Sequence, residues 1–383
     1  MKLALQLAYK NLIRAGLRTW LNAIVLSFAF VIIIFFNGLM DGWNEQAKTD
    51  TIAWEYGHGQ LLHEKYDPYD PFTLQDAHGA TPKNSNLTPI LIRSAAIYPE
   101  GRMVPITIRG IDNKANALTI PTDLLKSSKT DIPVIIGKRM STSNELKKGD
   151  QVLLRWRDKN GTFDAQNITI AGVFESDVVS ADRGLIWMDL ERLWDMTNMH
   201  GEATMLIANE QYKHQEVVGW IFKSQKELLS TIQNIIDMKK SSSAIMYFLL
   251  LAIALLAIFD TQVLSIFRRQ KEIGTYISLG MTRQQVVGLF TVEGAMYSIF
   301  ALVLAALYGT PLLAYLAKTG YAVGAAQQDM GIPIASRIFP VYGIPLVLGT
   351  VFFVVVAATI VSYLPARKIA RMDPVAALKG KLQ

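Results

Sequence analysis

Five histidines and a thin scatter of carboxylates are the side chains from which this chain could build chemistry. His58 and His63 lie five apart, with Glu64 and Asp67 close by. On a strand that spacing points the two imidazoles to opposite faces, so they make a poor ligand pair. His78, His200 and His214 are isolated in sequence and are expected in surface or core roles. Ser241-Ser242-Ser243 has no partnered histidine and reads as the start of a helix, not as a nucleophile. No G-x-x-x-x-G-K-S/T stretch occurs, and the nearest fragment, Gly137-Lys138, lacks both the first glycine and the hydroxyl residue that a phosphate cradle needs. The chain has no cysteine, which excludes disulfides, thiol catalysis, cysteine-type zinc sites, iron–sulfur clusters and a lipid anchor through an N-terminal cysteine. The expected catalytic, cofactor-binding and metal-ligating sets are therefore empty.

Asp260 and Glu293 stand apart, because each interrupts an apolar run. An ionisable group within a membrane span costs ~2.5–3.5 kcal/mol at its centre. Such a residue either reaches the interface or makes a polar contact between helices, here one that holds the neighbouring basic segment in register. Two acids in four spans do not make a conduction path.

The elements that position these residues follow from hydropathy. Residues 20–40, 244–267, 286–316 and 341–364 are nearly free of charge, and each is long enough at ~1.5 Å per residue to cross a ~30 Å hydrocarbon core. Residues 1–19 form an amphipathic helix with Leu3, Leu5, Leu7, Ala8, Leu12 and Ile13 in one stripe, suited to the membrane interface. The first apolar run is too long for a signal peptide and has no clean small-x-small site after it, so it reads as an uncleaved helix. Between Asp41 and Ser243, 23 Lys and Arg face 27 Asp and Glu, so the overall charge of +6 comes from the membrane flanks and not from a nucleic-acid surface. Four basic residues precede the first span, four lie in the 268–285 connection, and five follow residue 364, whereas the 317–340 connection has only Lys318 and Arg337. The positive-inside rule then puts both termini and residues 365–383 in the cytoplasm, and residues 41–243 and 317–340 outside.

Residues 41–243 have an α/β pattern. Val104–Ile111 alternates as a strand, and Val134–Met140 reads as a buried strand leading into a turn. Gln151–Trp156 and Asn167–Phe174 are strands joined across Asp158-Lys-Asn-Gly161, a hairpin signal. Leu190–Met196 reads as helix and Ala203–Ala208 as strand. Leu228, Leu229, Ile232, Ile235 and Ile236 share one helical face, either as a stalk continuing out of the membrane or as an ordinary helix of the outer domain.

The connection between the second and third spans is compact. A short helix is expected from about Arg269 to Leu279, closed by Gly280 in a left-handed C′ position, with Thr282 and Gln285 forming a capping box for the next helix. Arg-x-x-Glu-Ile-Gly at 269–274, Leu-Gly-Met-Thr-Arg-x-Gln at 279–285 and Glu293-Gly294 resemble the signature of FtsX-like ABC transporter permeases, which include MacB-type and lipoprotein-releasing permeases. The end of the chain, Pro365-Ala366-Arg367 through Asp373-Pro374-Val375-Ala376-Ala377-Leu378, resembles that family's C-terminal pattern. Gly137-Lys138, Leu146–Val152 and Ile170–Phe174 resemble the outer domain of MacB-like permeases. Asn37–Met40 and Gly57–Leu61 resemble lipoprotein-releasing permeases, where an Asn-Gly step ends the first span, although Leu39 stands where that pattern favours an aromatic.

The resemblance implies an α-helical membrane protein with four transmembrane helices and a large extracytoplasmic α/β domain between helices 1 and 2, with an FtsX-like permease domain over 244–376. It implies that Arg268, Arg269, Glu272, Ile273, Gly274, Leu279, Gly280 and Arg283 couple the chain to an ATPase, with Asp260 and Glu293 as intramembrane polar residues. It also implies a cytoplasmic ABC ATPase dimer that supplies the ATP and Mg sites, and a second permease copy or related permease. A lipoprotein or another periplasmic protein is a further expected partner, alongside membrane lipids. The function expected is mechanotransmission in the inner membrane, serving lipoprotein release. The alternatives are MacB-like efflux, FtsX-like activation of cell-wall hydrolases, and a membrane-anchored ligand-binding receptor.

Overall fold

The computed structural model describes residues 17–82, 84–114, 117–126, 131–324 and 335–371. Most of the expected N-terminal amphipathic helix and the C-terminal pattern from Asp373 onward lie outside the described residues. The chain divides into two compact units, Met1–Trp43 with Ile236–Tyr321 and Phe339–Gln383, and Asn44–Ile235 with Ala322–Ile338.

The first helix, α1, runs over Leu17–Thr51 and continues as a π-helical turn over Ile52–Tyr56. Strand β1 (Gly59–His63), a 3-10 turn (Pro71–Gln75), β2 (Gly79–Ala80), β3 (Leu87–Ile97) and β4 (Val104–Ile111) follow. Next come α2 (Asp123–Lys126), β5 (Pro133–Gly137), α3 (Lys138–Asn144), β6 (Gln151–Arg157), β7 (Phe163–Phe174) and α4 (Val179–Asp182). Then follow β8 (Leu185–Asp189), α5 (Leu190–Thr197), β9 (Glu202–Ala203), β10 (Met205–Ala208), β11 (Trp220–Ser224) and α6 (Gln225–Leu228). The chain then becomes helical, with α7 (Ser230–Arg268), α8 (Gln270–Ser278), α9 (Arg283–Thr319), α10 (Ile344–Ala366) and a final 3-10 stretch, Arg367–Arg371.

Four helices (α1, α7, α9 and α10) are long and apolar enough to cross a membrane. Their shared core uses Leu26 and Phe30 of α1, Leu251, Ala254 and Ile258 of α7, Tyr297, Ala301 and Ala305 of α9, and Val354 and Ala358 of α10. Those intervals of three and four are the stripe by which a helix buries one face. The helix that carries the first apolar run continues past Asn37-Gly38 to Thr51. A Cβ on Gly38 would strike the Tyr342 ring, and one on Gly42 would strike the Phe339 carbonyl, so these glycines serve close approach and not termination. One expectation needs correction here: Ser241-Ser242-Ser243 does not start a helix but lies within α7, which passes through it without interruption. Leu228 and Leu229 stay outside that rod, because Ser224 caps the separate short helix α6.

The other unit is built on a nine-stranded sheet in the order β11-β1-β10-β3-β4-β8-β5-β7-β6. Strand β3 is the hinge of this sheet. Its first half pairs with β10, and its second half, Ala95–Ile97, pairs with Leu154–Trp156 of β6. That second pairing closes β3, β4, β8, β5, β7 and β6 into a ring. Alternate residues fill the inside: Ile106 and Ile108 of β4, Ile186 and Met188 of β8, Val134 and Ile136 of β5, Ile168 and Ile170 of β7, and Leu154 and Trp156 of β6. The opposite faces, with Ile135, Trp187 and Ile92, build a second core. This follows from the two-residue period of strands, and it explains why Pro133–Gly137 reads as one unbroken apolar run. The hairpin across Asp158–Thr162 forms as expected. The expected turn after β5 is a helix, α3, and the expected strand Ala203–Ala208 is divided between two sheets.

Glu202 ties three parts of this unit together. Its carboxylate meets His78 Nδ1 and Lys159 Nζ, each at 2.5 Å. Burial works against the Glu202 charge, but the hydrogen bonds from Lys159 and His78 outweigh it and hold the carboxyl below its ordinary value of 4.5. A carboxyl with a lowered folded pKa stabilises fully above the unfolded value, and that contribution is lost as pH falls through the folded one. Thermal unfolding of the detergent-solubilised chain should therefore lose midpoint more steeply below about pH 4.5 than a Glu202→Gln variant does. Parallel acid profiles for the two proteins would remove Glu202 from this role.

Candidate functional site

The segment from Phe267 to Gly294 is held by local geometry at each reversal. Helix α7 stops at Arg268 because Arg269 leaves helical dihedrals, with φ −105° and ψ 19°. Helix α8 ends at Ser278, with Leu279 as its C-cap followed by Gly280 at φ +95°. The Gly280 N–H donates to the Ile277 carbonyl at 3.1 Å, and the Met281 N–H donates to the Tyr276 carbonyl at 3.1 Å. This is the paired closure of a Schellman motif, which needs a left-handed residue and so favours glycine. Thr282 then caps α9: its hydroxyl accepts from the Gln285 N–H at 3.3 Å, and Gln285 Oε1 accepts from the Thr282 N–H at 2.9 Å. The connection is therefore a rigid helix between two fixed corners.

One face of α8 is locked down. Ile273 is fully buried among Ile266, Val286, Val287, Phe290, Ala366 and Ile369, and Gly274 is buried beside it. Arg269 donates from Nη1 to both carboxylate oxygens of Glu293, each at 2.9 Å, and from Nε to Glu272 at 2.7 Å. Its guanidinium also lies 4.8 Å from the centre of the Phe290 ring. Burial opposes the Arg269 charge, but Glu293 and Glu272 outweigh it and raise its pKa above the ordinary value. The Glu293 side chain is only 6% exposed, and this acid makes a contact between elements. The neighbouring Gly294 lets three helices meet, because a Cβ there would strike Ser362 of α10 and crowd Gln262 of α7.

The other face of α8 is open. Arg268, Lys271, Glu272, Thr275, Gly280 and Arg283 are exposed, and Leu279 is 79% exposed at its end. Such an arrangement can transmit a push, because its inner side is fixed to α9 while its outer side offers charge and one apolar knob.

The expected residues do not all converge. Arg269, Glu272 and Glu293 form one cluster, with Ile273 and Gly274 beneath it. Asp260 does not join them: it lies on the exposed side of α7, with no hydrogen bond or ion pair among the described residues. Its side chain points away from the bundle, so of the two acids it is Glu293 that makes a contact between helices. Phe290, Gln262 and Ser362 belong to the site and were not legible from motif spacing, since they read as ordinary span residues. Asn22 was also missed, although its amide donates to Thr261 Oγ1 at 2.6 Å and links α1 to α7.

The histidines find separate partners. His63 meets Trp220 edge-on at 5.7 Å, His214 stacks on Phe222 at 4.6 Å, and His200 lies 3.7 Å from Asp195. Among the described residues, no three His, Asp or Glu side chains gather closely enough to hold a metal ion. Gly137 precedes α3, and a Cβ there would strike the Asp182 carboxylate, which accepts from the Arg139 N–H and Nη1 at 3.0 Å each. Gly137 is thus part of a buried structural contact, while Lys138 is exposed and pairs with Glu175 at 2.8 Å.

Four helices are thus long and apolar enough to cross a membrane, with a clamped helix between the second and third. Residues 244–374 match the FtsX-like permease C-terminal family, and the chain carries an FtsX-like permease domain there. It is 29% identical over 129 residues to the macrolide export ATP-binding/permease protein MacB of Wolinella succinogenes, across 33% of this chain and 17% of that one. It is 20% identical over 316 residues to the lipoprotein-releasing system transmembrane protein LolC of Xylella fastidiosa, across 75% of this chain and 76% of that one. Among solved structures it is similar to the periplasmic region of MacB from Actinobacillus actinomycetemcomitans, with a TM-score of 0.30, 10% identity, and coverage of 49% of this chain and 98% of that one. The chain thus spans about a sixth of the macrolide exporter's length but three quarters of the lipoprotein-releasing protein's.

Replacing one partner of a buried ion pair leaves the other charge stranded, at a cost of about 3–5 kcal/mol. Glu293→Gln should therefore lower the thermal midpoint of the solubilised protein markedly. An Arg269→Met/Glu293→Met double variant, which strands no charge, should recover most of that loss. Equal midpoints for the single and double variants would show that the pair is not the clamp.

Proposed function

We propose that this chain is the membrane subunit of an ABC transporter that works by mechanotransmission, with lipoproteins of the outer leaflet as cargo. The observation that carries this reading is α8, locked inward by Ile273 and the Arg269–Glu293 pair, with Arg268, Lys271, Glu272 and Leu279 facing outward. A cytoplasmic ATPase dimer grips this outward face and supplies the ATP and Mg sites, since the chain has no P-loop sequence of its own. Arg283 and the Gly280 turn set the angle at which α8 is presented. Closure of the ATPases pushes α8, the push passes into α7 and α9, and nothing need pass between the spans.

The protein sits in the inner membrane with both termini cytoplasmic and residues 41–243 outside, and it works with a second copy or a related permease. The lipoprotein cargo is favoured because the similarity to LolC runs through 75% of this chain, whereas the similarity to MacB covers 33%. A drug or peptide exporter, an activator of cell-wall hydrolases or a ligand-binding receptor would share the membrane topology but not the lipoprotein release.

Topology is tested by reporters. A fusion at Gly161 should be active only outside the cytoplasmic membrane and one at Gln383 only inside, and cytoplasmic activity at Gly161 overturns the reading.

The lever is tested on α7, which is one helix of 39 residues from Ser230 to Arg268. A flexible Gly-Ser insert after Ser242 relaxes as a coil and carries no push. In the reconstituted complex, ATP turnover should persist while lipoprotein release per ATP falls. Release per ATP unchanged by the insert is the result that sinks the lever.

A further inference from the structure

Three arginines, Arg93, Arg155 and Arg157, line one cavity of about 390 Å³ beside the β3–β6 closure of the ring. Arg93 is 4% exposed, a cation taken almost wholly out of water. Its Nη1 donates to the Leu74 carbonyl at 2.6 Å and to the Gln75 carbonyl at 3.3 Å, and no carboxylate pairs with it among the described residues. Nε and Nη2 have no hydrogen bond there and are not sealed from solvent. These two form the parallel N–H edge with which a guanidinium grips a carboxylate side-on. Burial outweighs the attraction of Asp158, Asp76 and Glu202 and lowers the Arg93 pKa from its ordinary value.

The rim adds charge and an apolar wall. Arg155 and Arg157 are two apart on β6 and so share a face. Phe163 stands opposite Arg157 on β7, and the two guanidiniums lie 4.0 and 4.3 Å from the centre of its ring. Asp158 is the one carboxylate in the lining, and its Oδ1 already accepts from the Asn160 and Thr162 N–H groups at 2.9 and 2.7 Å. Three cations against one acid leave the lining with a net charge of +2. Like charges in one cavity repel, and an anion among them relieves that cost. Phe72 and Met103 are exposed in the lining, and Asp70 fixes the Phe72 turn by accepting from the Phe72 N–H at 2.9 Å. With a buried cation at the floor and apolar groups at the rim, a ligand enters charged end first. It therefore carries a terminal anion on a compact apolar body.

We propose that this cavity binds a small organic acid, with its carboxylate on Nε and Nη2 of Arg93 and its apolar body among Phe72, Met103 and Phe163. The charge of the lining commits the site to an anion, and its volume commits it to a small molecule. A phosphodiester, whose charge lies between two substituents, does not present the terminal anion that the buried guanidinium takes. The site lies wholly within the sheet unit, so it goes beyond the permease reading and does not rest on it.

The probe is 4-phenylbutyrate, titrated calorimetrically into the full chain in lipid nanodiscs, with the heat from empty nanodiscs subtracted. It should fill a single site with a Kd below about 1 mM. The neutral 4-phenylbutyramide has nearly the same shape without the charge, and it should bind about tenfold more weakly or worse. Arg93→Lys keeps a cation for the Leu74 and Gln75 carbonyls but loses the side-on edge, so it should weaken binding about tenfold. Arg157→Gln, at the exposed rim, should weaken binding about threefold and leave the thermal midpoint in place, which keeps the test decisive if Arg93→Lys folds poorly. No saturable heat by about 10 mM, equal affinity for the amide, or Arg157→Gln binding as tightly as the parent chain would each overturn the proposal. ATP turnover with the partner ATPase is read separately, so failure of this site is distinguishable from failure of the permease reading.

Discussion

A guanidinium and a carboxylate removed from water must find each other, and Arg269 and Glu293 do so across 24 residues of sequence. The rest of the connection depends on that constraint. Arg269 occupies the corner where α7 ends, and Glu293 lies on α9, so the pair ties the corner to the following long helix. Phe290 lies against the cation, and Glu272 takes its remaining edge. With those four groups engaged and Ile273 buried, α8 cannot rock without carrying α9 with it. The bond gives the helix stiffness more than it gives the protein stability, because a buried ion pair roughly balances its own desolvation.

The same need for close approach decides where glycine stands. Gly294 follows the clamped acid directly and leaves room for Ser362 and Gln262 from two other helices. Gly309 does the same for Val31, and Gly38 and Gly42 for Tyr342 and Phe339. In hydrocarbon, helices gain nothing from hiding apolar side chains from water, so intimate packing around small residues must hold them together. Gly280 is different: nothing crowds it, and its positive φ alone demands glycine.

In the sheet unit the deciding contact is also long-range. Strand β3 keeps β4 from Ile90 to Ile97 and changes neighbours on the other edge, from β10 to β6. That change turns an open sheet into a closed ring filled by Trp156 and its aliphatic neighbours. Closing the ring removes the edges that β3 and β6 would otherwise leave unpaired.

Much of this was written locally. The four apolar runs, the Gly280 corner, the Thr282–Gln285 cap and the Asp158–Thr162 hairpin each depend on residues within a few positions of one another, and the sequence alone determined them. The same local logic misjudged Ser241–Ser243, where neighbouring turns carry the helix through residues that resemble a helix start. Asp260 and Glu293 show the limit most clearly. Both are single acids in apolar runs, and nothing in their own surroundings separates the one that meets Arg269 from the one that faces outward. Which way each points depends on helix rotation, and rotation is set by packing against elements far away in sequence. The tertiary structure alone decided their different roles, along with the β3–β6 closure, because both depend on distant segments meeting.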